Sequence, residues 1–148
     1  MKIAIGSGKG GTGKTTVAVA LAMASTEPTQ YLDCDVEEPN GHIFLKPDLD
    51  ETMLVSLPVP SVNSDLCTGC GLCDRICQFN AIISLKSTAM VFPELCHGCG
   101  GCSLFCPTGA ISEIEYEIGC VEKGPAGSIE FVQGRLSVGR AMSPPVIR

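Results

Sequence analysis

Eight of the ten cysteines fall into two copies of one spacing, Cys67-x2-Cys70-x2-Cys73-x3-Cys77 and Cys96-x2-Cys99-x2-Cys102-x3-Cys106-Pro107. Three thiolates two residues apart can converge on three irons of one cubane. The fourth cysteine lies too far round to close the same cube and reaches the other cluster instead. The spacing therefore predicts two [4Fe–4S] clusters, one held by Cys67, Cys70, Cys73 and Cys106, the other by Cys96, Cys99, Cys102 and Cys77. Cys96 follows Cys67 by 29 residues, and the match runs on from Ala81-Ile82 to Ala110-Ile111, as internal duplication requires.

Two other uses of cysteine compete. A disulfide framework needs an oxidising compartment, yet Met1-Lys2-Ile3-Ala4-Ile5 runs into glycines with no apolar leader. Zinc is the stronger rival, because Cys-x2-Cys pairs bind it, but two pairs would leave the middle and x3 cysteines unexplained. Gln78 stands where the first copy would carry proline, which puts the local chain path in question more than the ligation. Cys34 and Cys120 are left over and read as packing residues. His97, inside the second cysteine loop, reads as facing solvent.

The chain opens on Gly8-Lys9-Gly10-Gly11-Thr12-Gly13-Lys14-Thr15, which matches the phosphate-loop pattern G-x4-G-K-[ST] and continues into Thr16. Lys2 to Gly6 reads as a short buried strand and Thr15 to Ser25 as an alanine-rich helix, with Val17, Val19, Leu21 and Met23 in its core. In that setting glycine N–H groups and the helix N-terminus cradle phosphate. Lys14 meets the β/γ-phosphates and the Thr15 hydroxyl holds Mg²⁺. Gln30 to Asn40 follows, with Asp33 and Asp35 at the end of an apolar segment. A carboxylate at the C-terminal end of a parallel strand faces the same crevice as the phosphate loop, though a pair of turn-forming acids fits equally.

The extra lysine of Lys9-Gly10-Gly11-Thr12-Gly13-Lys14-Thr15 resembles the deviant phosphate loop of MinD/ParA-like ATPases. Together with Asp33-Cys34-Asp35-Val36-Glu37-Glu38-Pro39-Asn40 and Cys96-His97-Gly98-Cys99, the chain resembles MinD-superfamily P-loop ATPases carrying an inserted ferredoxin domain. The resemblance implies ATP as ligand, Lys9 reaching a partner's nucleotide across a homodimer, and Asp35 positioning the attacking water or Mg²⁺. Lys9, Lys14 and Asp35 are then the catalytic set. The fold implied is α/β: a partial parallel sheet of the P-loop type over 1–60 and 114–148, with a two-cluster ferredoxin insert over 61–113.

No aspartate follows Asp74, so the aspartate that would hold Mg²⁺ from a later strand is missing. The 148 residues read as the front part of a longer ATPase, which leaves catalysis by this chain open. Glu37 to Pro60 carries four prolines and reads as a loop, and Ile129 to Val138 alternates around Gln133-Gly134 as a hairpin. A net charge of −6 argues against nucleic acid and anionic membranes, and suits a basic redox or cluster-accepting partner. Reduced cysteines in this number point to the cytoplasm. Electron transfer coupled to ATP, cluster assembly or delivery, and a ferredoxin with a vestigial loop all remain as functions.

Overall fold

A computed structural model describes residues 1–140 and 142–148. The chain runs α1 (Lys14–Ala24), β1 (Thr29–Asp33), α2 (Gly41–Leu45), β2 (Glu51–Val62), α3 (Leu72–Ile76), β3 (Ile82–Ser84), β4 (Ala89–Val91), a 3-10 turn (Pro93–Leu95), α4 (Gly101–Leu104), β5 (Ile111–Ala126), β6 (Ile129–Leu136) and α5 (Pro144–Ile147). It is a mixed α/β structure. The main sheet has the order β1-β6-β5-β2, and β3 pairs with β4 in a sheet of their own.

The expected parallel sheet is not what forms. Only β1 and β6 run parallel, while β5 is antiparallel to both β6 and β2. The reason lies in the connections: parallel neighbours need a crossover, whereas β5 and β6 are joined by the two residues Gly127-Ser128. That turn, with Gly127 at φ +64°, replaces the hairpin expected at Gln133-Gly134. Gln133 and Gly134 instead lie inside the ladder, opposite Glu122 and Val121. Gly134 serves close packing, since a Cβ there would come 2.6 Å from Val36 Cγ1.

Two further readings are corrected. Lys2 to Gly6 belongs to no strand and is largely exposed. A parallel strand is buried on both faces, and the helices described here cover only part of the sheet, so this segment gains no burial by joining it. The proline-bearing segment after Glu37 is not loop throughout: it contains α2 and the twelve-residue β2. β2 is an edge strand, and Pro58 and Pro60 are two residues apart, so both missing N–H groups fall on one side of it. An edge tolerates that where a central strand does not.

The core forms where α1 crosses the β1–β6 pair. Val19 and Ala22 pack on Tyr31, Ile129 and Phe131, with Ala18 beside them. Tyr31 and Phe131 stack at 5.5 Å. Helical spacing puts Ala18, Val19 and Ala22 on one stripe. Val17, Leu21 and Met23, expected in the core, are 50%, 47% and 67% exposed, because only one face of α1 meets the sheet. A second cluster joins Val36, Ile118 and Val146, tying the acidic segment after β1 to β5 and α5.

Candidate iron–sulfur site and glycine-rich loop

The β2–β5 ladder runs from Glu51↔Lys123 to Val62↔Ile111, and both cysteine motifs lie between its ends. The ladder's end belongs to the cysteine-rich unit as much as to the main sheet. Ile82 pairs with Val91 just as Ile111 pairs with Val62, and each residue of the second relation lies 29 positions from its counterpart in the first. The closing hydrogen bonds repeat in the same way: Asn63 N–H donates to Ala110 O, and Phe92 N–H to Ala81 O, both at 2.8 Å. Ala81, Ile82, Ala110 and Ile111 are all buried and form the shared floor.

The loops above that floor repeat too. Gly69 and Gly71 have φ of +66° and +74°, and their counterparts Gly98 and Gly100 have +63° and +72°. Left-handed glycine lets each loop fold its sulfurs inward without a Cβ clash. At Gly69 an added Cβ would also lie 2.6 Å from Lys86 O. Asn80 and Gly109 occupy the matching left-handed position after the fourth cysteines, at +52° and +62°. The turn therefore takes the same left-handed step with Gln78 as with Pro107.

Cys67, Cys70, Cys73 and Cys106 line a single pocket with Thr68, Ser84 and Thr108 around them. No pocket among those described gathers the second set, but its thiols feel one another's charge. Burial pushes the Cys96 thiol up, and the charges of Cys99 and Cys77 push it further, against the opposing Gly98 N–H. Cys102 is raised to about 11, first by burial and then by Cys96 and Cys99 against backbone hydrogen bonds. Cys73 is raised by burial, with added repulsion from Cys67 and Cys70. Sulfurs gathered this way resist sharing negative charge unless cations lie among them, which is the condition an iron–sulfur cluster satisfies.

Donors to sulfur complete the cradle. Ala81 N–H points to Cys77 Sγ at 3.3 Å and Gly98 N–H to Cys96 Sγ at 3.4 Å. Burial raises the Cys106 thiol, but the Thr108 hydroxyl and the N–H groups of Thr108, Ala110 and Ile111 outweigh it and lower it overall. Such hydrogen bonds hold thiolates and tune a bound cluster. The donor set suits iron and the cradle repeats in both copies, while among the described residues no three Cys, His, Asp or Glu converge closely enough to hold a single metal ion.

A pair of polar contacts escaped the sequence reading. Asp74 Oδ2 accepts the Ser84 N–H at 3.1 Å, and Ser103 Oγ donates to Glu113 Oε1 at 2.8 Å. Ser103 corresponds to Asp74 and Glu113 to Ser84, so the carboxylate has changed ends between copies while the link persists. The 29-residue offset was the signal that could have found it. His97 is also corrected: it is half-buried, stacked on Phe79 with ring centroids 3.5 Å apart. Cys34 is exposed and so is no packing residue, whereas Cys120 is half-buried, its thiol raised by burial and by Glu122.

The glycine-rich loop lies at the other end of the main sheet. Gly11 and Gly13 are left-handed, and Gly13 caps α1. Lys14 Nζ folds back to Ser7 Oγ at 3.3 Å and Lys9 O at 3.5 Å, while Ser7 and Thr12 share a hydrogen bond of 2.7 Å. Gly8, Lys9, Gly10, Gly11, Thr12, Gly13 and Thr16 are exposed, with Lys14 and Thr15 half-buried. Asp33 is buried, and its carboxylate accepts the N–H groups of Asp35, Asn40 and Gly41. Asp33 shapes the segment that presents Asp35, which is exposed. Among the described residues, no hydrogen bond or ion pair joins the Asp35 carboxylate to Lys9 or Lys14.

Comparison with known proteins bears on this geometry. Residues 66–111 match the family described as 4Fe-4S dicluster domain. The chain therefore carries an iron–sulfur, ferredoxin-like domain. Over 152 aligned positions the chain is 38% identical to an uncharacterized protein of Methanocaldococcus jannaschii, covering 99% of this chain and 52% of that protein. The chain thus spans about half the length of this relative. No helix among the described residues is long and apolar enough to cross a membrane.

Proposed function

We propose that this chain is an electron-transfer protein holding two [4Fe–4S] clusters, one on Cys67, Cys70, Cys73 and Cys106, the other on Cys96, Cys99, Cys102 and Cys77. The observation carrying this reading is the doubled cradle: two loops of one backbone form 29 residues apart, with Cys106 lining one pocket with Cys67, Cys70 and Cys73. By the same repeat Cys77 would serve the Cys96 loop. A bound cubane supplies a reversible one-electron change. Four cysteine ligands per cluster, with N–H donors fixing Sγ, favour retention over release. That argues for electron carriage and against the second reading, cluster or metallocofactor delivery.

The glycine-rich loop supports a finer proposal. Gly8 to Thr16 would bind ATP, with Lys14 on the phosphates and Thr15 on Mg²⁺, and Lys9 and Asp35 would act in the longer protein as a homodimer. Membership of the MinD-superfamily ATPases belongs to this proposal, as does a cytoplasmic setting with a basic redox partner and neither nucleic acid nor membrane as target.

Anaerobic reductive titration separates the two cluster readings. An electron carrier takes up about two electrons per chain and returns them with its iron intact. Transfer of iron and sulfide to an apo-ferredoxin on mixing would instead establish delivery.

A further inference from the structure

Arg140 is the point at which the C-terminal segment touches the second cysteine loop. Its guanidinium carbon lies 4.3 Å from the centroid of the Tyr116 ring, and Nη2 donates to the Tyr116 hydroxyl at 2.9 Å. Nη1 stands 3.7 Å from Glu94 Oε1, an ion-pair distance, and the Tyr116 hydroxyl donates to the same oxygen at 3.5 Å. The arginine side chain is only 15% exposed, whereas Glu94 is 51% exposed. Glu94 sits in the Pro93–Leu95 turn, two residues before Cys96, and Cys96 N–H closes that turn on Pro93 O.

The segment bearing Arg140 is anchored at its other end. Ser137 N–H bonds Ile118 O at 2.8 Å, and Leu136 N–H bonds Val36 O at 2.7 Å. Beyond it, Val146 packs on Val36, and Ser143 Oγ donates to Glu37 Oε1 at 3.2 Å. One strip of chain thus touches the acidic segment carrying Asp35 on one side and the Cys96 loop on the other. The first cysteine loop has no such attachment among the described residues.

We propose that Arg140 is a positioning residue that clamps the Pro93–Leu95 turn through Tyr116 and Glu94, fixing the Cys96 loop and setting the properties of its cluster alone. The cation also offsets the Glu94 charge beside that loop, so its loss makes the Cys96-bound cluster harder to reduce. This inference rests on the two-cluster reading above, and the experiment keeps the two apart.

Arg140→Ala, Arg140→Lys and the parent chain are compared by amide hydrogen exchange and by potentiometric titration with paramagnetic resonance. In Arg140→Ala, exchange across Phe92 to Gly98 should quicken by about ten-fold, as expected for loss of a partly buried contact, while Thr68 to Cys73 stays unchanged. One of the two potentials should fall and the other hold. Arg140→Lys, which keeps a cation beside Glu94, should restore the potential. Equal exchange in the two loops, or both potentials moving together, would overturn the clamp. If the parent chain binds no cluster, the two-cluster reading fails, and exchange in the cluster-free chain still decides whether Arg140 holds the loop.

Discussion

Phe79 and His97 stack face to face, with ring centroids 3.5 Å apart and planes inclined by 6°. Phe79 stands two residues after Cys77 and His97 directly follows Cys96. The stack therefore brings the tail of the first cysteine motif against the head of the second, as crossed ligation requires. Sequence distance alone would leave these segments apart; the repeated β-pairs beneath them close the gap.

The proposed crossed ligation would make the two fourth cysteines separable. Cys106→Ser should perturb the cluster of Cys67, Cys70 and Cys73, and Cys77→Ser the cluster of Cys96, Cys99 and Cys102. Resonance spectra of the reduced variants read this directly. Each variant should keep one cluster signal unaltered, and the retained signal should differ between the two.

The glycine-rich loop predicts a phosphate ligand held through Lys14. Lys14→Ala should lower nucleotide affinity by at least about ten-fold in calorimetry, since one charged hydrogen-bonding partner is lost. The visible spectrum of the clusters should not change, because among the described residues no side-chain hydrogen bond or ion pair joins this loop to the cysteine loops. Equal binding by both proteins would remove the loop from the account.

Phe131 is fully buried, stacked beside Tyr31 in the cluster that includes Val19 and Ala22 of α1, and has no polar role. Phe131→Ala should cost about 3–5 kcal/mol of stability, the usual loss for a buried phenylalanine. Denaturant unfolding of the reconstituted chain measures it. A loss below about 1 kcal/mol would show that the α1–sheet core collapses into the space, contrary to the packing described.

Burial raises the Tyr31 phenol to about 12, with Asp33 and Cys34 adding repulsion against a phenolate. A group whose proton is held more tightly in the fold than in the unfolded chain stabilises fully below its ordinary value. That contribution is lost as pH climbs from about 10 through 12. Tyrosinate absorbance should show a late ionisation step that Tyr31→Phe removes, and the variant's stability should fall less steeply over the same pH window.

Much of this was legible in the sequence because it is local. Cysteine spacing and the 29-residue offset foretold the paired loops, and alanine-rich periodicity foretold α1. What escaped depends on distant partners. Pro58 and Pro60 suggest loop until β5 makes β2 an edge strand, and Gly134 suggests a turn until Val36 is seen against it. The Arg140 contacts reach back 24 residues to Tyr116 and further to Glu94, beyond any periodicity. Lys2 to Gly6 has strand composition, but composition creates no strand where the sheet offers no covered place.

The central claim is that each cysteine copy holds a cubane. Iron, acid-labile sulfide and zinc counted per chain after anaerobic reconstitution test it most directly. The account predicts about eight irons and about eight sulfides, with no zinc. About two zinc ions and no sulfide would contradict it, leaving the doubled cradle as a pair of zinc sites.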